Sequence, residues 1–406
     1  MQGIDRILAA AAVLAACLGS GRAGAAEPMA FWEGRPRKGA NLFDAAPPSA
    51  ATLEAARGLG IQWIRLAWDK WPGAGRDFLL GSADGYRGLP AADLQVLRAA
   101  LDRAQAAGLK VVVVPLSLPG LRWRQNNGGA FDGRLWRDRR WWDQAAAFWR
   151  DLAFELKGHP ALVAYNLINE PAPEREAGVA EDAGAETLVA WYRRIQGTPR
   201  DLPALYAHLV RVIREVDPAT PIMVDAGWYA RPTALAYWPG PLADSRTLYA
   251  FHMYEPHAWS SPARARGPAA FRYPGRIPGD KGRPVRWDRA ALARVLRPAY
   301  RWAQAQGIPP GRLVAGEFGC CRRAPGAAAW LEDLLTILEA EGTHWAFYAF
   351  REAFDGFDYE LGDRRLPEAH WKAREEGREP ALDRGANPVF EPILRRLMER
   401  EPAPLR

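Results

Sequence analysis

Short apolar runs recur along this chain at intervals that leave room for a helix between them. They lie at 38–42, 61–67, 109–116, 162–168, 222–226, 248–253, 313–315 and 344–350. Most are rich in β-branched or aromatic residues and lack a clean alternation, as expected of parallel strands covered on both faces. Helical periodicity appears between them, at 89–107, 141–157, 202–216, 289–306 and 327–341. The last of these gathers Leu331, Leu334, Leu335 and Leu338 on one face and turns Glu332 and Asp333 to the other. Gly108, Gly158, Gly307 and Gly342 follow helical segments, where a helix takes its terminating residue. Eight βα repeats predict an α/β fold, a single-domain (β/α)8 TIM barrel, with a doubly wound open sheet as the alternative. The long connections (68–90, 117–140, 171–201, 254–287 and 351–388) all follow strands, so they crowd the end of the barrel where such folds carry their sites.

Composition changes this picture little. The chain has 406 residues, 49% hydrophobic and 25% charged, enough apolar material for one large core. Its beginning stands apart. Arg6 precedes an uncharged stretch from Ile7 to Leu18, and small residues around Ala23 and Ala25 follow. That predicts a secretory signal peptide over residues 1–25, too short to span a membrane, and a mature domain over 26–406. Leu14-Ala15-Ala16-Cys17 also has the form of a lipoprotein signal with cleavage before Cys17. Periplasmic or extracellular export is expected either way, with membrane attachment only through a lipid on Cys17. Losing two arginines and one aspartate with residues 1–25 lowers the net charge from +7 to +6. Arg264, Arg266, Arg272, Arg276, Lys281, Arg283 and Arg286 cluster in one loop, without the aromatic interleaving of a nucleic-acid surface, and read as a solvated basic loop. Cys320 and Cys321 are adjacent and read as packed thiols, with a vicinal disulfide as the alternative. No disulfide framework is available, so the fold must rest on its core.

Two carboxylates carry the chemistry. Glu170 closes Leu-Ile-Asn-Glu-Pro and Glu317 sits in Val-Ala-Gly-Glu-Phe-Gly, each at the end of an apolar run. Breaking a glycosidic bond requires one protonated carboxyl for the leaving oxygen and one ionised carboxylate across the sugar. Pro171 turns the chain after Glu170, and Gly316 and Gly319 are expected to let the backbone approach a bound ring. A metal mechanism finds no His-Glu-x-x-His and no zinc spacing, and a serine hydrolase finds no Gly-x-Ser-x-Gly. Gly19-Ser-Gly-Arg-Ala-Gly24 fits a dinucleotide fingerprint on paper but has no strand before it. No cofactor or metal is expected.

With Gly39-Ala40-Asn41 on strand one, Arg65 on strand two, Leu118-Pro119-Gly120 after strand three, Asn169-Glu170-Pro171 after strand four, His252-Met253-Tyr254 on strand six and Gly316-Glu317-Phe318-Gly319 on strand seven, the chain resembles glycoside hydrolase family 5, the cellulase family. The resemblance implies a retaining enzyme with Glu170 as acid/base and Glu317 as nucleophile. It further implies that Asn169 bonds the sugar 2-hydroxyl, that Arg65 orients Glu317, and that His252 and Tyr254 line the same subsite. Two positions depart from it. Ser117 stands where many members have a histidine, and Tyr348 where the family usually places a stacking tryptophan. Among the 18 tryptophans, Trp68, Trp71, Trp123, Trp228 and Trp259 are expected as sugar platforms, and Trp149, Trp302 and Trp330 as core. The expectation is a monomeric endo-β-glucanase acting on a β-linked oligo- or polysaccharide. β-1,3-Glucan or β-mannan specificity, transglycosylation, and a non-catalytic carbohydrate-binding barrel stay open.

Overall fold

In the computed structural model, residues 28–180, 183–261, 271–279, 282–352, 356–375 and 381–399 are described. The expected signal peptide, Cys17, Arg264, Arg266 and Lys281 lie outside them. Eight parallel strands close into a barrel: β1 Lys38–Leu42, β2 Trp63–Ala67, β3 Lys110–Val114, β4 Leu162–Asn166, β5 Ile222–Asp225, β6 Thr247–Met253, β7 Leu313–Phe318 and β8 His344–Phe347. β1 pairs with β8 to complete the ring. The fold is therefore the (β/α)8 barrel that the periodicity predicts. Between strands run the helices Ala50–Gly58, Ala91–Ala106, Arg140–Leu156, Leu202–Arg214, Arg289–Ala305 and Ala327–Ala340. The β5–β6 crossover is different, built around a 3-10 turn, Pro232–Tyr237. Among the described residues no helix is long and apolar enough to cross a membrane.

Both faces of each strand are covered, which is why the runs show no polar alternation. Ile64, Leu66, Val111, Val113, Tyr165 and Phe251 point out into the helix-facing core, while Trp63, Val112, Ala164, Met223, Leu248 and Val314 point inward and fill the lower barrel. The 3-10 turn Pro28–Trp32 seals this end. Its Trp32 ring meets Trp63 edge-on at 5.2 Å and donates from Nε1 to the Val163 carbonyl at 2.9 Å. His344 accepts from the Arg37 N–H at Nδ1 and faces the Trp32 carbonyl through Nε2, and burial drives its pKa down to about 4, so it latches the turn as a neutral ring. Higher up, the inward positions become polar.

The sequence-predicted platforms mostly belong to this packing. Trp68, Trp71, Trp228 and Trp259 are buried, Trp71 against Phe78 and Trp259 against Tyr273 and Trp330. Trp149, Trp302 and Trp330 are core, as expected. Cys320 and Cys321 are buried free thiols. Arg272, Arg276, Arg283 and Arg286 are exposed on or beside the hairpin Gly275–Pro278 and Pro284–Trp287.

Candidate active site

Above the apolar layer, the inward positions at the strand ends carry a hydrogen-bonded plug centred on Arg65. Its guanidinium is fully buried and donates five times: from Nε to Asn166 Oδ1 at 2.7 Å, from Nη1 to Glu317 Oε1 at 2.6 Å and Asn41 Oδ1 at 3.3 Å, and from Nη2 to Asn169 Oδ1 at 2.8 Å and Asp225 Oδ2 at 3.2 Å. A planar fork with five donors is the one side chain able to bind this many acceptors in a barrel axis. Two carboxylates share its charge, which is what permits their burial.

Glu317 reaches the interior because β7 is irregular. Ala315 pairs with Phe251 and Glu317 with His252, so Gly316 is an extra residue in the ladder. Strict alternation would turn Glu317 outward, and the bulge restores it to the barrel axis. Gly316 serves this packing. A Cβ there would sit 3.2 Å from His252 Nε2, and one on Gly319 would meet the Tyr348 carbonyl at 2.7 Å. The expectation that these glycines make room for a sugar ring is corrected: they make room for neighbouring protein groups.

Glu170 is held differently. It lies four residues beyond β4 with φ +48°, a left-handed conformation uncommon for a side-chain-bearing residue. Its N–H donates to Asp225 Oδ2 at 3.0 Å, and its Oε1 pairs with His252 Nδ1 at 2.8 Å. Burial, and then the Asp225 charge, push its pKa up to about 8. Burial also raises Glu317, but the Arg65 guanidinium and a hydrogen bond from the Tyr254 hydroxyl at 2.6 Å pull the other way. The pair is therefore asymmetric. Glu317 has charge-stabilising donors on both oxygens, whereas Glu170 faces a like charge and keeps its proton.

One oxygen of Glu170, one of Glu317 and a ring nitrogen of His252 lie within 4.8 Å of one another. The spacing suits a cation, but Arg65 already supplies a positive charge to Glu317 and His252 Nδ1 is engaged by Glu170. The cluster neutralises itself.

Over the two carboxyls opens a cleft of about 330 Å³. Its walls include Phe43, Leu116, Trp123, Asn169, Tyr254, His257, Tyr348 and Phe357. Asn169 gives its amide oxygen to Arg65, which leaves the amide nitrogen to donate into the cleft. Tyr348 meets Phe43, Tyr254 and Phe357 edge-on, at 5.6, 6.4 and 5.3 Å, and its hydroxyl donates to Glu352 at 2.7 Å. His252 lies beneath the cleft and is not part of its wall. Ser117 is also buried, beside Asp69, whose pKa burial raises to about 6.

Trp228, expected as a platform, is corrected by its place in the fold. It is buried and is not among the cleft-lining residues. Trp228, Tyr229 and Ala230 all have positive φ, and this strained turn is held by Glu174, a buried carboxyl that accepts from the Trp228 N–H at 3.1 Å. The turn brings Tyr229 to within 5.9 Å of Trp123, so the half-buried aromatic in the cleft wall beside Glu170 is Trp123, backed by Tyr229. Sequence reasoning missed both Tyr229 and Asp225. The signal for Asp225 was available, since a carboxylate ends the apolar run Ile-Met-Val-Asp on the same rim as the glutamates.

Comparison with known proteins agrees with this geometry. The family described as Cellulase (glycosyl hydrolase family 5) matches residues 33–353. Among solved structures, an endoglucanase superposes with a TM-score of 0.60 at 17% identity, covering 90% of this chain and 99% of its own. The Pseudomonas stutzeri endoglucanase Cel5A gives 0.58 at 21%, covering 89% and 94%. Cel5A from the hyperthermophilic Thermotoga maritima gives 0.58 at 16%, covering 82% and 94%. No curated protein sequence matches. At these identities the structural likeness speaks for the fold, and the family match, spanning most of the chain and both glutamates, speaks for the chemistry: this protein belongs to glycosyl hydrolase family 5 and is a β-glycoside hydrolase.

Proposed function

We propose that the chain is a retaining endo-β-glucanase working by double displacement. The observation that carries the reading is the close, unequal carboxyl pair, with oxygens within 4.8 Å and only Glu317 doubly supplied with donors. Retaining enzymes hold their carboxyls about 5–5.5 Å apart, whereas inverting ones leave about 6.5–9.5 Å for a water. Glu317 attacks the anomeric carbon and forms a glycosyl ester as the C–O bond to the leaving sugar breaks. Glu170 gives its proton to the departing oxygen. Glu170, now a carboxylate, then takes a proton from water, whose oxygen attacks the same carbon and frees Glu317. Asn169 donates to the 2-hydroxyl, and Trp123 in the cleft wall offers a stacking face to a neighbouring sugar.

Glucan is favoured as substrate because relatives of this fold, the Pseudomonas stutzeri and Thermotoga maritima Cel5A enzymes, are described in complex with cellobiose. Export, with or without a lipid on Cys17, completes the proposal, and cell fractionation tests it. The enzyme reading is checked by following product anomers by NMR on β-1,4-glucan, β-1,3-glucan and β-mannan. Retained configuration with internal cleavage of β-1,4-glucan is expected. Inverted product would overturn the mechanism, and no cleavage of any polymer would overturn the activity.

A further inference from the structure

We infer that Asp225 is the positioning residue that aims Glu170 and keeps its proton in place. The inference rests on Glu170 being the acid/base, but Asp225 itself touches no reacting atom and lines no part of the cleft. Three observations converge on it. Asp225 is fully buried at the end of β5, and both of its oxygens are used on the catalytic floor: Oδ1 takes the Asn166 amide at 2.9 Å, and Oδ2 takes Arg65 at 3.2 Å and the Glu170 N–H at 3.0 Å. That last bond holds a residue whose left-handed backbone would otherwise relax, carrying the carboxyl away from Glu317. Finally, His252 Nε2 makes no hydrogen bond among the described residues and faces Asp225 Oδ2 at 3.5 Å.

This geometry settles the histidine. A proton on Nε2 points at the Asp225 charge, and Nδ1 is then an acceptor for the Glu170 carboxyl proton at 2.8 Å. Burial lowers His252, in keeping with a neutral ring. The charged and titratable groups around Glu170 are Arg65 from β2, Asp225 from β5, His252, Tyr254 and His257 from β6 and its loop, Glu317 from β7, and Tyr348 after β8. Only Asp225 combines a repulsive charge with a grip on the Glu170 backbone. Its carboxylate thus orients the acid and opposes its ionisation at once.

The test uses leaving groups. Asp225→Asn removes the charge while keeping an amide oxygen able to accept from the Glu170 N–H, and Asp225→Ser removes the charge and, one bond too short, that acceptor as well. Each is assayed on a soluble β-glucan, whose sugar leaving group needs a proton, and on a dinitrophenyl β-glycoside, whose phenolate does not. The expected result is a fall in kcat/KM, which reports the first displacement, of roughly tenfold or more on glucan with little change in kcat/KM on the aryl glycoside. The alkaline limb of the glucan pH profile should also move down by about one unit, because less negative charge faces Glu170. Equal losses on both substrates with an unmoved limb, or variants that do not fold, would overturn the inference. Glu170→Gln is run alongside. If it spares glucan hydrolysis, the acid/base assignment has failed instead.

Discussion

The two ends of the barrel interior solve the same packing problem with opposite chemistry. At the base, Trp32, Trp63, Val112, Met223 and Leu248 fill the axis with apolar volume. At the top, Arg65, Asn41, Asn166, Asp225 and Glu317 fill it with hydrogen bonds. Apolar packing gains free energy in proportion to area and tolerates small shifts of shape. A buried charge network gains little net stability and fails badly when one member is lost. What it provides is fixed direction, and direction is what the two glutamates need. The base should therefore control whether the protein folds, and the top whether it turns over.

This contrast can be broken most decisively at Glu317. Glu317→Ala should lower kcat/KM on β-glucan by roughly 10⁴-fold or more while the melting temperature stays within a few degrees, because Asp225 still pairs with the Arg65 guanidinium left behind. Initial rates and calorimetry on the same preparation check both halves. At the other end, Trp63→Ala should leave kcat per folded molecule unchanged and cost about 3–5 kcal/mol in denaturant unfolding, the scale of a large-to-small change in a packed core. A rate effect there would blur the division.

A third variant sharpens it from within the polar layer. Tyr254→Phe removes the hydroxyl that donates to Glu317 at 2.6 Å. We expect kcat/KM to fall by roughly 10–100-fold, and the acidic limb of the pH profile to move upward, since that donor holds the Glu317 carboxyl down against burial. The smallest effect concerns stability. Glu170 is raised from 4.5 to about 8 on folding, so its contribution is present below pH 4.5 and is lost as pH climbs towards 8. Glu170→Gln should remove that loss and gain a few degrees over wild type at pH 8, with little gain at pH 4, by thermal melts at both values.

Much of this was legible in the sequence where local pattern and burial agree. The eight apolar runs became the eight strands within a few residues, and the motifs around Asn169, His252 and Glu317 met at one rim as the resemblance implied. What was hidden depends on contacts between distant segments. A tryptophan in a long loop reads as exposed, yet Trp68, Trp71, Trp228 and Trp259 fold back into the core, Trp71 and Trp259 against Phe78 and Tyr273 from their own loops. Asp225 looked like an ordinary strand-ending acid until Arg65, 160 positions earlier, came to lie against it. Gly316 looked like space for a ligand because a bulge cannot be seen without the partner strand.

The turn Pro28–Trp32 has a consequence for how the enzyme meets its surroundings. It enters at the base, so the polypeptide ahead of residue 28 joins the barrel at the pole opposite the cleft. A lipid on Cys17 would hang the enzyme from the membrane by its sealed end, at most roughly 40 Å away even if the intervening chain were fully drawn out. The mouth would then open away from the bilayer, towards polymers arriving from outside.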